Sequence, residues 1–237
     1  MKKQILLRWA SVCALVLVCG VSSADPLKTL IVGGGTYHDF QRWFNLADKK
    51  LLESSDVKVD YTEKTSGMKE TIAGVDVLYL SNNKPFEDQA SKDAIVQHLN
   101  DGKGMLLVHS ALWYSWKDWP EFNRDLASGG AGGHDRLGAF TVDVVEGGHP
   151  IMKGVPSTFE ITDELYYQKV DPKGPGIEVL ATAYSKIKND HYPSVFIIKH
   201  PKARVVGITL GHDGQSHSHE AYQTILKNAL KWVSEKL

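Results

Sequence analysis

The sequence predicts an α/β protein with a mostly parallel central sheet. Three observations point there. Short continuous apolar runs recur along the first half. Segments of helical period lie between them, and the chain ends on a long amphipathic stripe. Parallel strands need crossover connections, and the intervening helices supply them.

Residues 27–32 form the first apolar run and stop at Gly33-Gly34-Gly35, which marks a buried strand followed by a tightly bent loop. Phe40, Trp43, Phe44, Ala47 and Leu51 then repeat at the spacing of one helical face, with Asp39 or Thr36 available as a cap. Residues 57–61 alternate like a short strand, and 75–80 are a second buried run. A helix follows over 90–99, stopped by Asn100-Asp101-Gly102. The most apolar strand, 105–108, ends in His109-Ser110. Further strands are expected at 140–145, 158–161, 177–181, 195–199 and 204–209. Tyr222, Ile225, Leu226, Ala229, Leu230 and Val233 make the final helical stripe. Gly129-Gly130-Ala131-Gly132-Gly133 reads as a flexible stretch inside the fold.

Residues 1–24 read as a cleavable signal peptide. Met1-Lys2-Lys3 and Arg8 give a positive start, 10–21 form an apolar core of about the 7–15 residues such signals carry, and Ser22-Ser23-Ala24 offer a cleavage site. An uncleaved anchor is the alternative, but the run falls short of the ~20 residues a membrane span needs. Lipid attachment at Cys19 is a lesser one, since Val16-Leu17-Val18 precede it instead of a small residue. The expected product is a periplasmic or secreted single domain, 25–237, with no stable membrane span after cleavage. Both cysteines, Cys13 and Cys19, lie in the leader, which excludes cysteine catalysis and disulfides in the mature chain. A core of this size needs no disulfide. The 27 Lys and Arg against 28 Asp and Glu, with no basic block, make nucleic acid an unsuited partner.

In open parallel sheets, ligands bind beyond the carboxyl ends of the strands. Four such ends carry chemistry here: His38-Asp39, His109-Ser110, Asp163-Glu164 and Gly211-His212-Asp213. His38, His109 and His212 with a carboxylate suit a divalent, zinc-like metal. Metal-free acid/base catalysis by His109 with Glu164 or Asp163 suits the same residues, and so does plain hydrogen bonding within local turns. Ser110 lacks the flanking glycines of a GxSxG elbow, so its nucleophilic role is weakly supported and a helix cap is its plainer one. Trp113, Tyr114, Trp116 and Trp119 follow His109 directly and form either a sugar-stacking wall or ordinary packing under a loop. His134, in the glycine-rich stretch, and His149 are further rim candidates. Ser216 or Ser218 is expected to cap the last helix, leaving His217 and His219 exposed. The triple glycine lacks both GxGxxG spacing and a Lys-Ser/Thr ending, so no nucleotide is expected.

An ordered series of segments resembles the ThuA-like (trehalose utilisation) family, whose fold is similar to class I glutamine amidotransferases. The series runs from Tyr37-His38-Asp39 and the stretch from Gly104 to Ala111 that contains His109-Ser110, through the Gly129 to His134 loop and His149-Pro150-Ile151, to Asp163-Glu164-Leu165-Tyr166 and Gly211-His212. It covers nearly all of the mature chain. The resemblance implies a flavodoxin-like three-layer sandwich and a small-molecule carbohydrate partner, of the trehalose-type disaccharide or keto-sugar kind. The amidotransferases place a cysteine after the central strand. Here His109-Ser110-Ala111 stands at that position, so glutaminase chemistry is excluded. By resemblance the family's polar positions fall on His38, His109, Glu164 and His212, which coincide with the strand-end residues; Trp113, Trp116, His134 and Ser110, read from their place beside these, are the expected substrate contacts. Two classes of function stay open: a glycoside- or keto-sugar-processing enzyme, and a non-catalytic carbohydrate-binding module.

Overall fold

The computed structural model describes residues 25–54, 56–114 and 116–235; the expected signal peptide, 1–24, lies outside them. The strands are β1 (Leu27–Val32), β2 (Val57–Thr62), β3 (Val77–Leu80), β4 (Gly104–Val108), β5 (Gly129–His134), β6 (Gly138–Val144), β7 (Thr158–Asp163), β8 (Tyr166–Val170), β9 (Ile177–Ser185), β10 (Asp190–Ile198) and β11 (Val205–Ile208). The α-helices are α1 (Lys49–Leu52), α2 (Met68–Thr71), α3 (Gln89–Asn100), α4 (Gly214–His217) and α5 (Glu220–Ser234). A π-helical segment, Gln41–Asp48, leads into α1, and Asp39 caps its start by accepting from the Arg42 N–H at 3.0 Å.

Nine strands form one sheet in the order β2-β1-β3-β4-β11-β10-β9-β6-β7. The first five run parallel, and β10, β9, β6 and β7 extend the sheet antiparallel. Alternate residues of the parallel strands face opposite ways, as the pleat requires. Ile31, Tyr79, Leu106, Val108, Val206 and Ile208 pack under α5 and the Gln41–Asp48 segment. Leu30, Val32, Leu78, Leu80, Met105 and Leu107 pack under α3 and the tryptophan-rich loop. Both faces are therefore covered, which is the three-layer arrangement expected, and the six stripe residues of the last helix are all buried.

Three local readings are corrected. The glycine-rich stretch is strand β5, paired antiparallel with β8 in a separate two-stranded sheet; without side chains its glycines carry no alternation to read. Gly129 has φ +142°, and a Cβ there would meet the Lys169 carbonyl oxygen at 1.9 Å, so only glycine fits the pairing. Second, His219, not a serine, caps α5 by accepting from the Ala221 N–H at 3.2 Å. Ser216 instead closes a capping box with Asp213 on α4. Third, His217 is buried, not exposed.

Candidate functional site

The chain leaves β1 toward β2 on one side and returns to β3 on the other, so a crevice opens between β1 and β3 at their carboxyl ends. There a cavity of about 490 Å³ is lined by His38, Asn83, Trp113, His134, Glu164, Tyr166 and His212, with Thr36, Tyr37 and Ser110 at its edges. His38 follows β1, His109 follows β4 and His212 follows β11. Their rings sit 4.9 Å (His38 to His109), 4.9 Å (His38 to His212) and 5.4 Å (His109 to His212) apart, centroid to centroid. One nitrogen of each lies within 4.8 Å of the others. His109 sits at φ +47°, a left-handed bend that turns its side chain sharply off the end of the strand.

The protonation pattern follows from the partners. His109 Nδ1 is 2.7 Å from the Thr209 carbonyl oxygen, which can only accept, so Nδ1 carries the hydrogen and Nε2 keeps its lone pair. The Tyr166 hydroxyl donates to that lone pair at 3.2 Å. Burial, reinforced by neighbouring His38, holds His109 well below the ordinary imidazole range, and burial with His212 nearby lowers His38 to about 4. Both rings are neutral at neutral pH. His38 Nδ1 is buried without a hydrogen-bond partner.

Glu164 reaches all sides of the cluster. Its Oε2 is 3.2 Å from His212 Nδ1 and 3.7 Å from His109 Nε2, and its Oε1 is 3.6 Å from His134 Nδ1. The His212 contact is close but off the hydrogen-bonding direction, since His212 Nδ1 remains unsatisfied. Contact with Glu164 raises His212 against the opposing effect of burial. Burial alone would raise Glu164, but His212, His134 and His38 together hold it below the usual carboxylate range. Two neutral imidazoles, a third paired with a carboxylate, and an unsatisfied buried nitrogen form a donor set that fits a divalent cation.

Asp163 does not reach the cavity. It is fully buried, and its carboxylate accepts from the backbone N–H of Gly211 at 2.7 Å, Glu164 at 2.8 Å and His212 at 3.2 Å. Burial pushes it up to about 6, so it is ionised at neutral pH and holds the two segments that carry Glu164 and His212. Ser110 is buried and its hydroxyl donates to the Ser81 carbonyl, so it is neither a helix cap nor a free nucleophile. Trp113 lines the cavity, edge-on to His134 and Tyr166. Trp116 does not: it is 4% exposed, stacks on Phe86 and tilts against Phe122 in the core. His149 packs on Trp232, away from this cavity.

Four lining residues are not among the site candidates read from the sequence: Thr36, there a candidate cap, Tyr37 and Tyr166, there part of the family-like segments, and Asn83. Asn83 obeys the same strand-end rule as the histidines, three residues beyond β3. Its amide clamps Thr36 reciprocally, accepting from the Thr36 N–H at 2.9 Å and donating to the Thr36 carbonyl at 3.0 Å.

The same architecture recurs in solved structures. A ThuA-like protein of Parabacteroides merdae matches with a TM-score of 0.76 and 23% identity, over 89% of this chain and 90% of that one. A ThuA-like protein of Bacteroides uniformis matches with 0.73 and 22%, over 89% and 93%. A glutamine amidotransferase of Thermotoga maritima matches with 0.56 and 9%, over 90% and 100%. The fold is thus that of the amidotransferase-like α/β sandwiches, here with histidine at the bend after the central strand. The ThuA family, described as trehalose utilisation, matches residues 28–233, and the chain belongs to that family. No curated protein matches the chain.

Proposed function

We propose that this chain is an exported enzyme of carbohydrate utilisation that processes a glycoside or keto-sugar, with His38, His109 and His212 holding a divalent cation beside Glu164. The observation that carries the reading is the convergence of three imidazole nitrogens within 4.8 Å, beside which the half-buried His38 holds a buried Nδ1 with no hydrogen-bond partner. A cation held there would act as a Lewis acid on a sugar carbonyl or hydroxyl oxygen. Glu164 is the side chain placed to accept a proton from a carbon made acidic by a neighbouring carbonyl, since its carboxylate is ionised and faces the cavity. Burial keeps the Tyr166 phenol well above its ordinary range, so it stays protonated; a cation taking the His109 Nε2 lone pair would displace the hydroxyl's present hydrogen bond and leave it to donate to an oxygen that approaches His109. The Trp113 indole offers the apolar wall on which a sugar ring packs. Carbohydrate as the partner is supported by the family's description, and export by the leader-like residues 1–24.

The test is metal content by mass spectrometry on untagged mature protein, with a His38→Ala/His212→Ala double variant alongside. Stoichiometric metal in the wild type, lost in the variant, supports the reading. A wild type that stays metal-free after incubation with zinc, manganese and cobalt overturns it and leaves the His212–Glu164 pair as a metal-independent acid/base couple or a plain binding element.

A further inference from the structure

A second buried polar cluster lies behind the cavity. Asp48 closes the π-helical segment and His217 closes α4, and both are almost wholly excluded from solvent. His217 Nδ1 is 2.7 Å from Asp48 Oδ1, and its Nε2 is 3.0 Å from the Gly211 carbonyl oxygen. A carbonyl oxygen only accepts, so Nε2 carries a hydrogen. The proton between Nδ1 and Oδ1 is then the one open question. Two neighbours answer it: the hydroxyls of Tyr79 and Tyr222 both donate to Asp48 Oδ2, at 2.6 and 3.0 Å, an arrangement that favours the carboxylate over the acid. The ring also stacks on the face of Trp43 (6.0 Å), a surface that suits a cation, and meets Phe44 (4.9 Å) and Tyr222 (5.0 Å) in T-shaped contacts.

We propose that His217 is an imidazolium at neutral pH and that, paired with Asp48, it is a positioning residue for His212. Both polar groups of Gly211 are then held by buried charges of opposite sign. The His217 cation grips its carbonyl, and the Asp163 anion grips its N–H and that of His212. Gly211 itself lies at φ +119°, a conformation other residues resist, so the segment bearing His212 depends on these contacts to keep its bend. A buried ion pair is a weak source of stability, because desolvation offsets most of the attraction. Its effect here is to fix one peptide. The inference rests on the proposed reading only in taking His212 as a working residue of the cavity.

The first measurement is the long-range ¹H–¹⁵N spectrum of the wild-type histidines at pH 7.5, with His217 assigned by its loss in His217→Gln. Two protonated ring nitrogens are expected; one protonated and one bare nitrogen overturns the charge assignment. Calorimetric titration with Zn²⁺ follows, on folded His217→Gln and Asp48→Asn. Affinity about 10–100-fold below the wild type is expected, the loss that removing a residue supporting a ligand produces. Unchanged affinity in folded variants overturns the positioning role. If the wild type takes up no Zn²⁺, the metal reading fails by itself, and amide exchange decides the positioning role. Exchange at Gly211 and His212 is expected to quicken at least tenfold in His217→Gln while the β4 amides stay protected, and unchanged exchange overturns the proposal. Should His217→Gln fail to fold, Tyr222→Phe removes one donor from Asp48 and is expected to quicken the same amides about threefold, with no change overturning it.

Discussion

Trp113 and Trp116 are three residues apart, and their substitution by alanine separates binding from stability. Trp116 is buried, stacks on Phe86 at 5.7 Å, tilts against Phe122 at 4.4 Å and donates its indole N–H to the Ala111 carbonyl at 3.3 Å. Emptying such a site costs about 3–5 kcal/mol. For a domain of this length each kcal/mol lowers the melting temperature by roughly 2–4 °C, so Trp116→Ala is expected to melt about 6–20 °C below the wild type. Trp113 is half-buried and meets His134 and Tyr166 edge-on at 5.7 and 5.4 Å. Losing two such contacts costs about 1–2 kcal/mol, and the melting point falls only by a few degrees. Its removal strips an apolar wall from the cavity, however, and roughly 1–2 kcal/mol of sugar binding amounts to a 5–30-fold loss of affinity. Thermal melts by circular dichroism and isothermal titration with trehalose, on both variants and the wild type, read the two effects. A Trp116→Ala protein that melts like the wild type, or a Trp113→Ala protein that binds trehalose as the wild type does, would refute the division.

Gly35→Ala is expected to destabilise by about 2–4 kcal/mol in a urea melt. Its Cβ would stand 1.7 Å from Asn83 Oδ1 at φ +136°, forcing Asn83 off both of its bonds to Thr36. Acid is expected to destabilise the fold between pH 6.5 and 4. His38 and His98 are each held at about 4, so the unfolded chain binds protons in that window that the folded one refuses; the stability they contribute is complete above 6.5 and lost as pH falls. Urea melts at pH 7.5, 5.5 and 4.5 test this, and His98→Gln should make the slope shallower. His217 has the opposite sign: burial alone would lower it but Asp48 raises it, so its contribution is complete below 6.5 and is lost only as pH rises through the raised value. Ser110→Ala is expected to keep whatever turnover a keto-sugar assay detects, because its hydroxyl is committed to Ser81; loss of turnover with the fold intact would restore it as a nucleophile.

The parallel half of the sheet was legible because each buried strand is a continuous apolar run, and His38, His109 and His212 because they stand where such runs end. Asn83 stands at such an end too, but its amide does not titrate and so carries no acid/base or metal signal of its own. The strand β5 was invisible because glycines show no inward and outward alternation, and β8, Tyr-Tyr-Gln-Lys-Val, because its pairing partner was unrecognised. Trp113 and Trp116 stand three residues apart, and local spacing cannot say which ring turns inward. The Asp48–His217 contact spans 169 positions. No periodicity in a sequence encodes a pair that distant, so an exposed histidine was the natural reading of a Ser-His-Ser-His stretch.

The cluster draws on residues 38, 109, 164 and 212, contributed by segments that follow β1, β4, β7 and β11. No chain that ends before His212 can assemble it, and that residue comes shortly before the final helix, α5. Assembly of the cluster therefore waits for most of the polypeptide. On the proposed reading, the compartment in which folding finishes sets which small ions reach the cluster.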